Sequence, residues 1–422
     1  MKLAGNLHFD LMLGLALRGL GAVSSFVLTW LIARMFGAEE VGVYQIGLAT
    51  AALASIIATS GLDILLVREI SARVHAGQMG AARQTFLTVL RVVFQHGIMV
   101  FAILILLAPA IASLTLDASP VTVFISIFAP VAILLPILKS ANALLRTTGD
   151  VIYSQSLEGV FYTTLACAAL GAVWASDMEV SSQFPAFVYV ISMAIAAVIA
   201  VSMAIRRSRN WQGPGTSTIA RWDGLPIAAS PMAMDGSQWL ILLAVTSSLG
   251  VAEAGIYRTA FQICLLFQLI NASFAMMAGP HMARSVAAGE QEKLGRITRN
   301  AGLLGFVLCL PLAVVGLAAP SFLMGLFGPA FVSGASALQI LICAQWVNVA
   351  FGPVGAALVT LHRERLVLKI ELFASTTALL IALLLVRTYG MAGAAVGIFA
   401  GTAIRNLVNF LYLRRTILDA LS

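Results

Sequence analysis

Four ionisable side chains sit deep inside long apolar runs: Arg18, Asp235, Arg258 and Arg405. A charge in such a place is costly and by default marks a path for a polar solute. Five others, Asp63, Arg91, Lys139, Glu158 and Glu371, fall within about two turns of the ends of their runs at ~1.5 Å per residue, where long side chains snorkel to the interface. Arg18 shares a helical face with Gly14, Gly21, Ser25 and Thr29. A stripe of small residues makes a tight packing seam, but a guanidinium among them suits the wall of a cavity, with Ser25 as its polar neighbour. Arg258 is followed one turn later on the same face by Gln262, an arrangement that suits either an anion contact or an interfacial snorkelling arginine. Asp235 lies in LPIAASPMAMDGSQWL, where Pro226, Pro231 and Gly236 are expected to kink or loosen the helix. It can pair with Arg18, which lies at similar depth, take up a proton as a gating group, or be satisfied by backbone amides freed near Pro231.

Enzymatic and metal chemistry find no foothold. The histidines (His8, His75, His96, His281, His362) show no HExxH pattern, and Cys167, Cys264, Cys309 and Cys343 lie in apolar runs without CxxC spacing. No nucleophile, base and orienting group fall together, so no catalytic residue, metal or cofactor is expected.

The elements that must position these charges follow from composition. Of 422 residues 60% are hydrophobic and 10% charged, against about 25% charged in soluble domains. An all-α integral membrane protein is expected, with about twelve transmembrane helices at ~20 apolar residues each. Apolar runs place them near 11–33, 42–66, 86–111, 121–145, 155–175 and 185–205, then 225–249, 255–279, 299–320, 334–360, 366–387 and 392–413. The first run is too long for a signal-peptide core and is expected to remain as a helix. The net charge of +7 is spread in short clusters between runs instead of forming one stripe, which argues against a nucleic-acid partner. With the N-terminus in the cytoplasm, Lys2, Arg68, Arg83, Arg206, Arg296, Arg414 and most other loop cations lie inside, and only Arg34 and Arg387 lie outside. That bias predicts cytoplasmic N- and C-termini.

The chain reads as two repeats. Gly37, Glu40, Gly42 and Tyr44 recur 213 residues later as Gly250, Glu253, Gly255 and Tyr257, and Gln78, Arg83 and Thr85 recur as Gln291, Arg296 and Thr298. An even number of helices per repeat gives both the same orientation, with a pseudo-twofold axis along the membrane normal and a solute path between them. The expected domains are a six-helix bundle over 1–205, a cytoplasmic linker over 206–224 rich in Gly, Ser and Thr, and a second six-helix bundle over 225–422.

The stretch LTWLIARMFGAEEVGVYQIGLA, followed by SGLDILLVREISA, resembles the opening of bacterial lipid-linked polysaccharide flippases of the O-antigen type, in the multidrug, oligosaccharidyl-lipid and polysaccharide exporter superfamily. The resemblance implies two six-helix bundles around a central cavity in the bacterial inner membrane. It also implies transfer of an undecaprenyl-pyrophosphate-linked oligosaccharide, an O-antigen or exopolysaccharide unit, from the cytoplasmic to the periplasmic leaflet. Partners would be that lipid-linked glycan, membrane lipids and other polysaccharide assembly proteins. A pyrophosphate needs cations in a wet cavity, so Arg18 and Arg258, with Ser25 and Gln262, are the expected substrate contacts, and Asp235, Pro231 and Gly236 the expected coupling or gating elements. Arg405, on the last helix, would lie peripheral to that cavity and is expected to pair with another helix.

Two rivals remain. A cation-coupled drug or metabolite antiporter of the same superfamily would present acids to its cavity, whereas this chain offers Arg18 and Arg258 against one deep carboxylate, Asp235. A membrane glycan polymerase or ligase needs large outer loops carrying catalytic groups, and the outer loops here are as short as GAEE.

Overall fold

The computed structural model of the protein describes residues 4–116, 118–217 and 219–419, with side chains from residue 13 onward apart from residue 15. Lys2 and the His8 side chain lie outside the described residues. Among the described residues every regular element is helical, as lipid requires of a chain whose backbone groups must be satisfied within each segment.

The chain divides into two compact units, one of residues Met1–Phe36 and Val43–Met232, the other of Gly37–Gly42 and Ala233–Ser422. The first six crossings are α1 (Ala4–Phe36), α2 (Ala38–Thr59) with its extension α3 (Leu62–His75), α4 (Met79–Ala112), α5 and α6 (Ala118–Phe128, Val131–Thr147), α7 and α8 (Val151–Gln155, Phe161–Ala175) and α9 (Phe184–Ser208). The next six begin with α10 (Leu225–Leu249), then α11 and α12 (Val251–Ile263, Leu265–Ala287) and α13 (Gln291–Ala318). The short α14 (Pro320–Gly325) leads to α15 and α16 (Ala335–Ala350, Val354–Thr360), and α17 (Glu364–Asp419) ends the chain.

Ten stretches among the described residues are long and apolar enough to cross a membrane, and two features raise the architecture to twelve. α10 spans a full crossing but is diluted by Asp235, Ser237 and Gln238. α17 runs for 56 residues, interrupted at Gly390 with φ 58°; at ~1.5 Å per residue that is roughly 84 Å, far beyond one crossing of a ~30 Å core. Only glycine takes this backbone conformation without strain, so the long helix folds into two arms, 364–389 and 391–419. In the second unit Gly397 and Gly401 let these arms close on each other. A Cβ at either position would fall 2.7 Å or 2.6 Å from the Cβ of Ala382 or Ala378.

Two expectations change in detail. The helix expected over 42–66 ends at Thr59, because Ser60 and Gly61 both take positive φ (50° and 70°), and α3 restarts from there. The linker, although rich in glycine, is packed down within the first unit. Arg73 Nη1 donates to the Thr216 carbonyl at 2.9 Å and the Ala81 carbonyl at 3.2 Å. Arg221 Nη2 donates to Gln95 Oε1 at 2.7 Å, and Trp222 stacks on His96 with ring centroids 4.5 Å apart. In the second unit the repeated glycines meet directly: a Cβ on Gly255 would lie 2.7 Å from the Gly42 amide nitrogen. The recurring motif thus marks a close approach of backbone that a side chain would obstruct.

Candidate functional site

In the first unit α1 lies along the fifth crossing, with its glycines facing that helix at ordinary contact distance. A Cβ on Gly21 would sit 3.5 Å from Val160, and one on Gly14 3.5 Å from the Gln155 amide. The same seam holds a polar cavity of about 400 Å³, with Arg18 and Ser25 on one wall and Gln155, Glu158, Tyr162 and Tyr189 among the others. Packing seam and cavity wall are therefore one stripe, read in two directions. Arg18 Nε donates to Gln155 Oε1 at 3.0 Å, and among the described residues no carboxylate is in ion-pair range of its guanidinium. Glu158 projects from a π-helical turn, Ser156–Val160, a widened geometry common at functional sites. Its carboxylate pairs with Arg146 Nη1 at 3.3 Å, both side chains being about one-third exposed. Tyr162 and Tyr189 meet edge to face at 5.4 Å and back the cavity.

The second unit contains another cavity of about 400 Å³. Arg405 Nη1 lies 3.5 Å from Glu371 Oε1, with side-chain exposures of 21% and 10%, so the helix-to-helix pairing expected of Arg405 is found between the two arms of α17. Arg405 Nη2 donates to Asn348 Oδ1 at 3.3 Å, Asn406 Nδ2 donates to the same oxygen at 2.8 Å, and Ser375 Oγ donates to Glu371 Oε1 at 3.4 Å.

These cavities are equivalent under the internal repeat. Glu158 and Glu371 are 213 residues apart, the offset of the loop motifs, and so are Ser25 and Gln238, Tyr162 and Ser375, and Tyr189 and Thr402; every one of them lines its own unit's cavity. Depth alone assigned both glutamates to snorkelling. The offset itself was the signal that singles them out.

The remaining sequence candidates lie elsewhere in the second unit. The half-buried Arg258 places its guanidinium 5.0 Å from the centroid of the Phe261 ring and within electrostatic range of Asp235. Gln262 is buried at 8% exposure. Pro231 and Gly236 stay inside an unbroken α10, so the expected weak point is a missing donor within one helix, not a gap between two. Arg18 and Ser25 are thus brought to one cavity, whereas Arg258, Gln262 and Asp235 do not line the second.

Solved structures share this fold. An inward-facing multidrug resistance MATE family transporter of the MOP superfamily aligns with TM-score 0.78 at 17% identity, covering 95% of each chain. Its outward-facing counterpart aligns at 0.64 with 16% identity, covering 98% of this chain and 95% of that one. A MOP superfamily transporter from Pyrococcus furiosus Vc1 (DSM3638), described as having a binding pocket of reverse polarity, aligns at 0.64 with 17% identity over 99% and 96%. No curated protein sequence matches the chain. The fold is that of a multi-pass membrane protein, with twelve crossings in two repeats. The chain belongs to the family described as polysaccharide biosynthesis protein, whose model matches residues 12–286, in agreement with the resemblance carried by the first two helices.

Proposed function

We propose that this protein is a flippase that carries an undecaprenyl-pyrophosphate-linked oligosaccharide from the cytoplasmic to the periplasmic leaflet by alternating access. The observation that carries the reading is Arg18: a guanidinium exposed on a polar cavity within a membrane helix, held by a neutral amide at 3.0 Å. Its charge is left for an anion, and a guanidinium meets phosphate oxygens through two parallel hydrogen bonds. The family supports polysaccharide as the cargo. The antiporter alternative needs carboxylates open to a cation, but Glu158 and Glu371 each already face an arginine. Arg258, with Gln262 behind it, is a second proposed anion contact, and Asp235 beside it, with Pro231 and Gly236, the proposed gating element.

The reading places the protein in the bacterial inner membrane with both termini cytoplasmic, on the charge bias of its loops. Cysteine introduced at Ala38 should react with an impermeant reagent from outside, and one at the exposed Asn210 should not; the reverse labelling would overturn the orientation. The functional test is flipping in reconstituted vesicles. Wild-type protein should move the lipid-linked oligosaccharide, and Arg18→Gln should lose at least about tenfold of the rate, about 1.4 kcal/mol, at near-normal membrane abundance. Loss of protein in step with loss of rate would mean that Arg18 serves packing alone.

A further inference from the structure

The second unit's cavity contains chemistry that an anion carrier does not call for. Its walls carry Gln238, Gln268, Asn271, Gln345, Asn348 and Asn409, drawn from α10, α12, α15 and α17. A polar side chain turned inward in a membrane protein costs free energy unless it is hydrogen-bonded, so amides gathered around one space call for a polar occupant. The space, about 400 Å³, greatly exceeds the ~30 Å³ share of a single water and falls within the ~300–1,000 Å³ typical of small-molecule sites.

Charge then narrows the class of occupant. Arg405 and Glu371 face each other at 3.5 Å and cancel. A metal cation would meet the fixed guanidinium, and a pyrophosphate would meet the carboxylate. Amides offer both donors and acceptors, which is what a molecule dense in hydroxyl groups requires, and Phe261 on the same wall supplies an apolar face. We propose that this cavity of the second unit is a subsite for the neutral, hydroxyl-bearing sugar part of the cargo. The proposal rests on the flippase reading above and names the portion of the substrate that the second unit binds.

The test uses the full chain in nanodiscs and two probes: undecaprenyl pyrophosphate, and the lipid-linked oligosaccharide pool extracted from the producing cells. Wild-type protein should bind the glycan-bearing lipid at least tenfold more tightly than the bare one. The double variant Gln268→Leu with Asn271→Leu should lose most of that increment while binding the bare lipid much as before. Gln268→Asn with Asn271→Gln, which keeps the amides, should recover part of it, and thermal unfolding of each variant checks that the fold is intact. An increment unchanged in the leucine variant overturns the sugar subsite and leaves a hydrated cavity, with the flippase reading intact if Arg18→Gln still weakens the bare lipid. Binding of neither lipid above a phosphatidylglycerol control overturns the flippase reading, and the subsite with it.

Discussion

The two polar cavities occupy corresponding places in the repeat but differ in charge. In the first, Glu158 is answered by Arg146 from α6, and Arg18 adds a cation that no carboxylate matches among the described residues. In the second, Glu371 is answered by Arg405 from the last arm of α17, and α10, the counterpart of Arg18's helix, contributes Met234, Ser237 and Gln238 and no cation. The repeat keeps the position of the acid and not that of its partner. One architecture can therefore present a cationic cavity in one unit and a neutral, hydrogen-bonding one in the other without altering the helices that build them.

The comparison can be broken most sharply at the two glutamates. Glu371→Gln leaves Arg405 uncompensated at a largely buried site and should destabilise the protein by about 3–5 kcal/mol, the usual cost of orphaning a buried charge. The double change Arg405→Met with Glu371→Leu should recover most of that loss, since a buried ion pair is often no better than an apolar replacement. Thermal unfolding of the purified protein decides it, and equal stability of single and double variants would show that the pair is wet and weak. Arg18→Gln comes next in size, in flipping rate and not in stability, and Arg18→Lys should restore only part of the rate, because a point charge lacks the paired geometry of guanidinium. Full rescue by lysine would reduce Arg18 to a simple charge.

Smaller effects follow. Asp235→Asn and Arg258→Gln should show a coupling of about 1 kcal/mol in a double-mutant cycle on stability, as expected for neighbouring charges; additivity would separate the two residues. If Asp235 is the gating group, Asn at this position should also remove any dependence of flipping on pH while substrate still binds. Glu158→Gln should cost no more than about 1 kcal/mol, because its pair with Arg146 is about one-third exposed and solvent screens it. A cost as large as that at Glu371 would mean that the two cavities are equally dry and that the contrast between the units is one of charge alone.

Much of this was legible in the chain itself. Twelve apolar runs, loop cations on one side and the recurrence of GAEEVGVY as GVAEAGIY determine a duplicated six-helix membrane fold, because a helix in lipid must be long, apolar and internally bonded whatever its neighbours are. The stripe through Gly14, Arg18, Gly21 and Ser25 also announced a face that both packs and opens, since helical periodicity is local. The tertiary structure alone decided the rest. Glu158 and Glu371 lie near helix ends by sequence depth, and only the rotation and packing of neighbouring helices turns them inward onto Arg146 and Arg405. The amides of the second cavity lie between Gln238 and Asn409 on four separate elements. A neutral side chain barely alters the hydropathy of its own helix, so their convergence has no local signature. The arm-forming break at Gly390 is hidden in an ordinary-looking YGMAG, because what demands a left-handed residue there is the need of one very long helix to turn back and bury its second arm against the first.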